Sequence, residues 1–241
     1  MRYGIFSDVH SNLEALSAVI SAYKHERIDR YLCIGDIVGY ATDCHDCIRL
    51  VKDLKARIVA GNHDWGASGQ LDLEYFNPSA KEALVWTAKV LSQAESDFLR
   101  GLPLAHSEEN FILVHATLDS PQEFYYLNNY DEAERTFALL DRQICFVGHT
   151  HRPGVFVETQ ENLFYKPLGK LQLEDKKRYI INVGSVGQPR DADTRAAYVI
   201  YDTEAKTVQL ERISYNFKIT QEKIFQAGLP EFLAARLGEG K

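Results

Sequence analysis

Apolar runs of strand length recur along this chain, and where they stop is more informative than where they start. Candidates lie at 2–7 (RYGIFS), 31–35 (YLCIG), 56–60 (ARIVA), 111–116 (FILVHA), 144–148 (ICFVG) and 179–183 (YIINV). The first stops in Ser7-Asp8-Val9-His10, the second in Gly35-Asp36-Ile37-Val38-Gly39, and the third in Gly61-Asn62-His63-Asp64. The fourth carries His115 at its end, and the fifth stops in Gly148-His149-Thr150-His151. Of the 8 histidines, His10, His63, His115, His149 and His151 all fall at these ends. Gly-Asn at one strand end is ordinary turn chemistry. Five polar ends of one kind constrain more, because the carboxyl ends of strands in an open α/β sheet share one edge.

Helical periodicity separates the early strands. In residues 12–25, Leu13, Leu16, Val19, Ile20 and Tyr23 share one face behind a candidate N-cap, Asn12. Residues 43–54 and 79–91 repeat the pattern, Ser92 with Glu95 forms a capping box, and 131–140 opens on acids. After residue 150 the segments VFVET, NLFYKPL and KLQLE read as short strands. Residues 196–202 and 207–215 form a hairpin across 203–206, and 220–237 is a helical pair broken at Pro230. With no repeat or linker, 1–241 reads as one α/β domain, its two sheets packed into a sandwich flanked by helices.

The converging side chains are carboxylates, imidazoles and an amide, without a thiolate. Such a set suits Mn, Fe or Zn and disfavours a structural thiolate zinc site. Asp8-x-His10 and His149-x-His151, with Asp36, Asn62 and His115, make seven groups. That exceeds one tetrahedral ion and suits two ions sharing a bridging carboxylate. Cys33 and Cys145 sit in apolar runs and read as small buried hydrophobes. Cys44 and Cys47 form a single C-x-x-C within a helical segment and read as helix residues, with zinc or redox chemistry as the alternative.

The 241 residues are 45% hydrophobic and carry a formal charge of −7. That balance fits a globular protein and is a poor match to sequence-independent duplex binding, which neutralises phosphates with basic residues. The opening MRYGIFSDVHSN meets Asp8 too early for a signal peptide, and no run approaches a membrane span. The expectation is a cytoplasmic protein with no membrane and no duplex nucleic acid partner.

DVH, GDIVG, GNHD, the lone His of LVHAT, and GHTH, in this order over roughly residues 3–190, resemble the calcineurin-like metallophosphoesterase superfamily. The later INVGSVGQPRD and the stretch GDIVGYATD resemble its small bacterial and archaeal branch of phosphodiesterases and diadenosine-tetraphosphatase-like proteins. The resemblance implies a four-layer αββα sandwich of two mixed sheets, with a dinuclear metal site at the strand ends. It implies Asp8, His10 and His151 on one ion, Asn62, His115 and His149 on the other, and Asp36 bridging both. It makes His63 the catalytic histidine, beside a hydroxide that bridges the ions and attacks phosphorus in line. The implied activity is hydrolysis of a phosphomonoester, phosphodiester or phosphoanhydride of a small soluble substrate, first a nucleotide such as a dinucleoside polyphosphate. Its rivals are a serine/threonine phosphoprotein phosphatase and a non-catalytic member that binds metal or nucleotide.

One position departs from the protein-phosphatase branch, whose second motif continues GDxxDRG with an Asp that orients the catalytic His. Here that position is Gly39, no Arg follows, and Asp64 is the substitute to examine. Arg190 is a candidate phosphate clamp, against an ion pair with Asp191 or Asp193. Tyr40 is a candidate pocket wall or base-stacking residue, and 66–77 a candidate substrate loop. Residues 204–241 carry no recognisable chemistry and read as packing on a sheet edge or serving a partner.

Overall fold

The computed structural model describes all 241 residues, which form twelve strands and eight α-helices. The strands are β1 (Arg2–Phe6), β2 (Arg30–Cys33), β3 (Arg57–Ile58), β4 (Ala105–Ser107), β5 (Phe111–Val114) and β6 (Ile144–Val147), followed by β7 (Gly154–Glu158), β8 (Leu163–Pro167), β9 (Lys170–Gln172), β10 (Arg178–Asn182), β11 (Ala196–Asp202) and β12 (Thr207–Ile213). The helices are α1 (Leu13–Tyr23), α2 (Cys44–Asp53), α3 (Asn62–Ala67), α4 (Pro78–Val90), α5 (Gln93–Arg100), α6 (Tyr130–Leu139), α7 (Phe217–Gln226) and α8 (Glu231–Ala235). None is long and apolar enough to cross a membrane.

Two six-stranded mixed sheets result, with orders β3-β2-β1-β11-β12-β9 and β4-β5-β6-β10-β7-β8. Strands β1, β2 and β3 are mutually parallel, as are β5, β6 and β10. Alternation along each strand makes the layers. Tyr3 and Ile5 face Ile144, Phe146, Tyr179 and Ile181 in a core between the sheets. Phe6 and Cys33 point the other way, against Leu16 and Val19 of α1 and Cys47 and Val51 of α2. Cys145 and Val147 pack on Ala133 and Phe137 of α6. The order is therefore helix, sheet, sheet, helix.

All four cysteines are free and buried. Burial pushes the Cys44 thiol up to about 11, and Cys44 and Cys47 pack in the helix-side core as residues of α2. Asn12 caps α1 by accepting from Ala15 N, and Ser92 with Glu95 forms the capping box of α5. Two elements lie outside the sequence expectation: β4, and α3, which begins inside the supposed Gly-Asn-His-Asp turn. The strands also stop one or two residues early, because the residues after them leave extended geometry. Within residues 204–241, β12 pairs with the edge strand β9, while α7, α8 and the turn after them pack elsewhere. They bring Ile224, Leu233 and Leu237 onto Tyr40, Ala80 and Ala83 beside the strand ends.

Candidate metal centre

Side chains from five strand ends meet where the two sheets share an edge. Main-chain bonds fix the meeting: Asp8 N donates to Gly35 O, His10 N to Asp36 O, and Gly148 N to His115 O. The backbone is left-handed at Asp8 (φ 54), His10 (φ 50), Asp36 (φ 52), His149 (φ 66) and His151 (φ 60). Non-glycine residues hold this conformation at a cost on the order of 1 kcal/mol each, and such residues gather at functional sites. The kinks turn each side chain inward at the end of its strand.

Three buried groups of potential ligands result: Asp8, His10 and His151; Asp36, His115 and His149; and His10, Asp36 and His63. His151 Nε2 lies 3.2 Å from Asp8 Oδ1 and 3.0 Å from His10 Nε2. His115 Nε2 lies 3.3 Å from Asp36 Oδ2, and His10 Nε2 lies 3.6 Å from the same oxygen. Ligand atoms on one ion with bonds of about 2.0–2.2 Å stand about 3–3.5 Å apart, so these spacings are those of a shared coordination sphere. The imidazoles are oriented from behind. The Nδ1 of His10, His115 and His151 sits 3.1, 2.6 and 2.6 Å from the carbonyls of Val38, Ile34 and Gln188. Each Nδ1–H donates to its carbonyl, which turns the Nε2 lone pair toward the cluster.

The residues fit metal ions by what they leave unsatisfied. Asn62 Oδ1, His115 Nε2 and His149 Nε2 are buried without a hydrogen-bond partner. Asn62 Oδ1 and His149 Nε2 are acceptors, and buried acceptors left open are costly unless something electropositive meets them. Burial opposes ionisation of Asp8, yet His151 beside it holds the carboxyl below the usual carboxylate range. Asp36 is likewise held down against burial, chiefly by His115. His115 in turn rises to about 9, since Asp36 outweighs the effect of burial. Burial lowers His149 to about 3 and His63 to about 4, and also depresses His10 and His151. A metal would displace the His115 proton and meet three candidate ligand imidazoles, His10, His149 and His151, already neutral.

His63 occupies the first turn of α3, with its N–H donating to Asp36 Oδ1 at 2.8 Å. Its ring lies 4.4 Å from Tyr40, 4.7 Å from His10 and 5.2 Å from Phe76 between centroids. Gly61 is extended here (φ −100), and what it supplies is space. A Cβ there would stand 2.7 Å from Asp36 Cγ. Asp64 does not reach back to His63. Its Oδ1 accepts from Ile37 N at 2.8 Å and Val38 N at 3.3 Å, and its Oδ2 from Gly61 N. It ties the Asp36 loop to the start of α3. His63 Nδ1 is buried without a partner and faces Gly39, where any Cβ would overlap it.

Arg190 and Tyr40 also reach the site. Arg190 Nη2 donates to Tyr40 OH at 3.2 Å and to Gln188 Oε1 at 2.8 Å. The alternative ion pair is absent, because Asp191 is taken by Arg212 and Asp193 by Arg195. Residues 66–77 are partly helical rather than one loop. Tyr75, Phe76 and Asn77 line a cavity of about 130 Å³ with Tyr40, Asn62 and His63. Sequence reading missed Tyr126, whose ring stacks on His149 at 4.2 Å, and Arg236, whose only signal was a basic residue in an otherwise unassigned segment.

Comparison with known proteins follows the same lines. Residues 1–206 match the calcineurin-like phosphoesterase superfamily domain. An uncharacterised protein of Methanocaldococcus jannaschii is 40% identical over 241 residues, covering 98% of this chain and 97% of that one. The crystal structure of a metallophosphoesterase from Sphaerobacter thermophilus superposes with a TM-score of 0.88 at 38% identity, over 100% of this chain and 99% of that one. A hypothetical protein of Pyrococcus horikoshii shares the fold, with a TM-score of 0.79 at 19% identity over 100% and 98% of the two chains.

Proposed function

The chain belongs to the calcineurin-like phosphoesterase superfamily and is a metal-dependent phosphoric ester hydrolase; from that premise we propose that it holds two transition-metal ions and hydrolyses a small nucleotide. Residues 1–241 act as one domain in this reading. Asp8, His10 and His151 hold one ion, Asn62, His115 and His149 hold the other, and Asp36 serves both. The observation that supports the assignment is the pair of unpartnered buried acceptors, Asn62 Oδ1 and His149 Nε2, the latter grouped with His115 and Asp36. Mn, Fe and Zn all suit this mixture of imidazole, carboxylate and amide ligands. Bound ions supply Lewis acidity toward phosphoryl oxygens and an acidified water as nucleophile.

The protein's own groups do the rest. Asn62 adds a neutral oxygen and keeps the site's negative charge low. The low pKa of His63 leaves its imidazole neutral near pH 7, so it acts as an N–H donor to the phosphoryl or leaving oxygen. Charge in the transition state spreads over the equatorial oxygens, where such a donor is worth most. Arg190, held by Tyr40 and Gln188, adds a positive charge at the rim. A nucleotide is favoured over a bare phosphate by the aromatic cavity beside His63, where Tyr40, Tyr75, Phe76, Phe124 and Tyr126 offer faces for a base.

The test is a panel run on Mn²⁺-loaded protein of measured metal content: a mononucleotide, a cyclic nucleotide, diadenosine tetraphosphate and a phosphopeptide. The account expects a nucleotide to be turned over with the highest kcat/KM. Preference for the phosphopeptide would establish a phosphoprotein phosphatase instead, and no turnover of any member with metal bound would establish a binding protein.

A further inference from the structure

Beside the metal-ligand cluster lies an open cleft of about 680 Å³ lined by Arg152, Arg190, Asp191, Arg236, Gly240 and Lys241. Its composition is unusual for this acidic chain. Arg152, Arg190 and Arg236 come from the turn after β6, the turn after β10 and the C-terminal segment. None of the three has an Asp or Glu side chain within ion-pair distance, although other arginines near the cleft do, Arg195 and Arg212 among them. Asp191, the one acid in the cleft, is engaged by Arg212.

The other contacts leave much of the donor capacity unused. Arg152 Nε donates to Arg190 O at 2.9 Å, and Arg236 Nε donates to the main-chain oxygen of Lys241, the last residue of the sequence, which leaves its two Nη groups uncommitted. Arg190 Nη2 is held by Tyr40 and Gln188, but its Nε is buried without a partner. Three guanidinium groups gathered without an Asp or Glu of their own repel one another, and a multiply charged anion relieves that cost through bidentate hydrogen bonds. Burial and the Arg190 charge already depress the Arg236 pKa to about 10. The cleft also abuts the reacting centre. Arg190 N donates to His151 O at 3.3 Å, and the Tyr40 ring that Arg190 holds lies 4.5 Å from His10.

We propose that Arg152, Arg190 and Arg236 form a second anion subsite that grips a non-reacting phosphate of the substrate, so that the protein selects substrates carrying two or more linked phosphates. The C-terminal segment thereby acquires a role: α7 and α8, packed on Tyr40, deliver Arg236 to the rim of the site. The proposal deepens the nucleotide reading given above and rests on it.

The test compares Arg236→Gln and Arg152→Gln with the parent chain, all metal-loaded. It measures kcat/KM for diadenosine tetraphosphate and for p-nitrophenyl phosphate, and calorimetric binding of a methylene-bridged ATP analogue and of AMP. Each substitution should lower the ratio of the two kcat/KM values about tenfold or more, mainly through KM, the size expected for loss of a charge-assisted hydrogen bond. The analogue should lose affinity relative to AMP by a similar factor. Equal losses on both esters, or a ratio that moves less than about threefold on a tenfold expectation, overturns the subsite. If the parent turns over neither ester, the hydrolytic reading fails. In that outcome a parent preference for the analogue that both variants lose still supports the subsite, and no such preference overturns it.

Discussion

Gly39→Ala isolates what this chain does differently from the protein-phosphatase pattern. Gly39 has φ +92, and its Cα faces the edge of the His63 ring. An alanine methyl would overlap His63 Nδ1 and stand 3.1 Å from Cγ and 3.2 Å from Cβ. Carbon contacts settle at about 3.5–4.0 Å, so the ring must retreat by about 1 Å. It has nowhere to go without disturbing Tyr40, His10 and Phe76, which surround it. Two costs follow. The positive φ strains a non-glycine residue by about 1–2 kcal/mol, which a denaturant titration reads as lost stability. Displacing a positioned catalytic group by about 1 Å costs on the order of 10²-fold in kcat. Metal content should hold, because Asp36 is fixed by its own main-chain and imidazole contacts. Gly39→Asp should be worse, since the carboxylate has no room beside Nδ1. The assay is kcat on the best substrate of the panel, with metal measured on the same sample. A Gly39→Ala protein with full metal and kcat within about threefold of the parent, against the 10²-fold expected, would refute the argument that Gly39 positions His63.

Two further outcomes are expected. His63→Ala should keep the parent's metal content and lose about 10²–10⁴-fold in kcat; because His63 also lies among potential ligands with His10 and Asp36, loss of metal with full activity per metal would make it a ligand instead. The second outcome concerns pH and the chelator-treated protein. Burial depresses His10, His63, His149 and His151, so the unfolded chain binds more protons below about pH 6.5. Stability present above that pH is lost as pH falls toward the folded values, about 4 for His63 and about 3 for His149. The loss is at most about 1.4 kcal/mol per pH unit for each such group. His115, raised to about 9, has the opposite sign: its contribution is full below about pH 6.5 and is lost as pH rises through 9. The thermal midpoint should therefore fall between pH 7 and pH 5, and a midpoint that rises over that interval contradicts the assignment.

The layered fold was legible because strand alternation and helical periodicity are both strong here, as in Tyr3-Ile5 against Phe6 and in Leu16-Val19. The meeting of Asp8, Asp36, Asn62, His115 and His149 was legible because parallel strands end on one edge, whatever the loops between them do. Three kinds of feature were not. Helix α3 is six residues long and contains Gly66, too short for a period and poor in propensity. Strand β4 is three residues at a sheet edge, Ala-His-Ser, with no alternation to read. The partners of Asp64 and Arg190, and the position of Arg236, depend on contacts between segments distant in sequence. Asp64 receives backbone donors from Val38 and Ile37, 26 and 27 positions earlier, and Arg236 returns to a cleft shared with Arg152 and Arg190. The left-handed backbone at Asp8 and His149 leaves no mark in composition at all.

The central claim is that seven inward-facing side chains hold two ions and that the pair is needed for hydrolysis. The direct measurement is metal stoichiometry by plasma mass spectrometry on protein reconstituted with Mn²⁺, with kcat on a nucleotide ester followed as ions are added. The account predicts two ions per chain and activity that rises with the second. One ion per chain at full activity would contradict it.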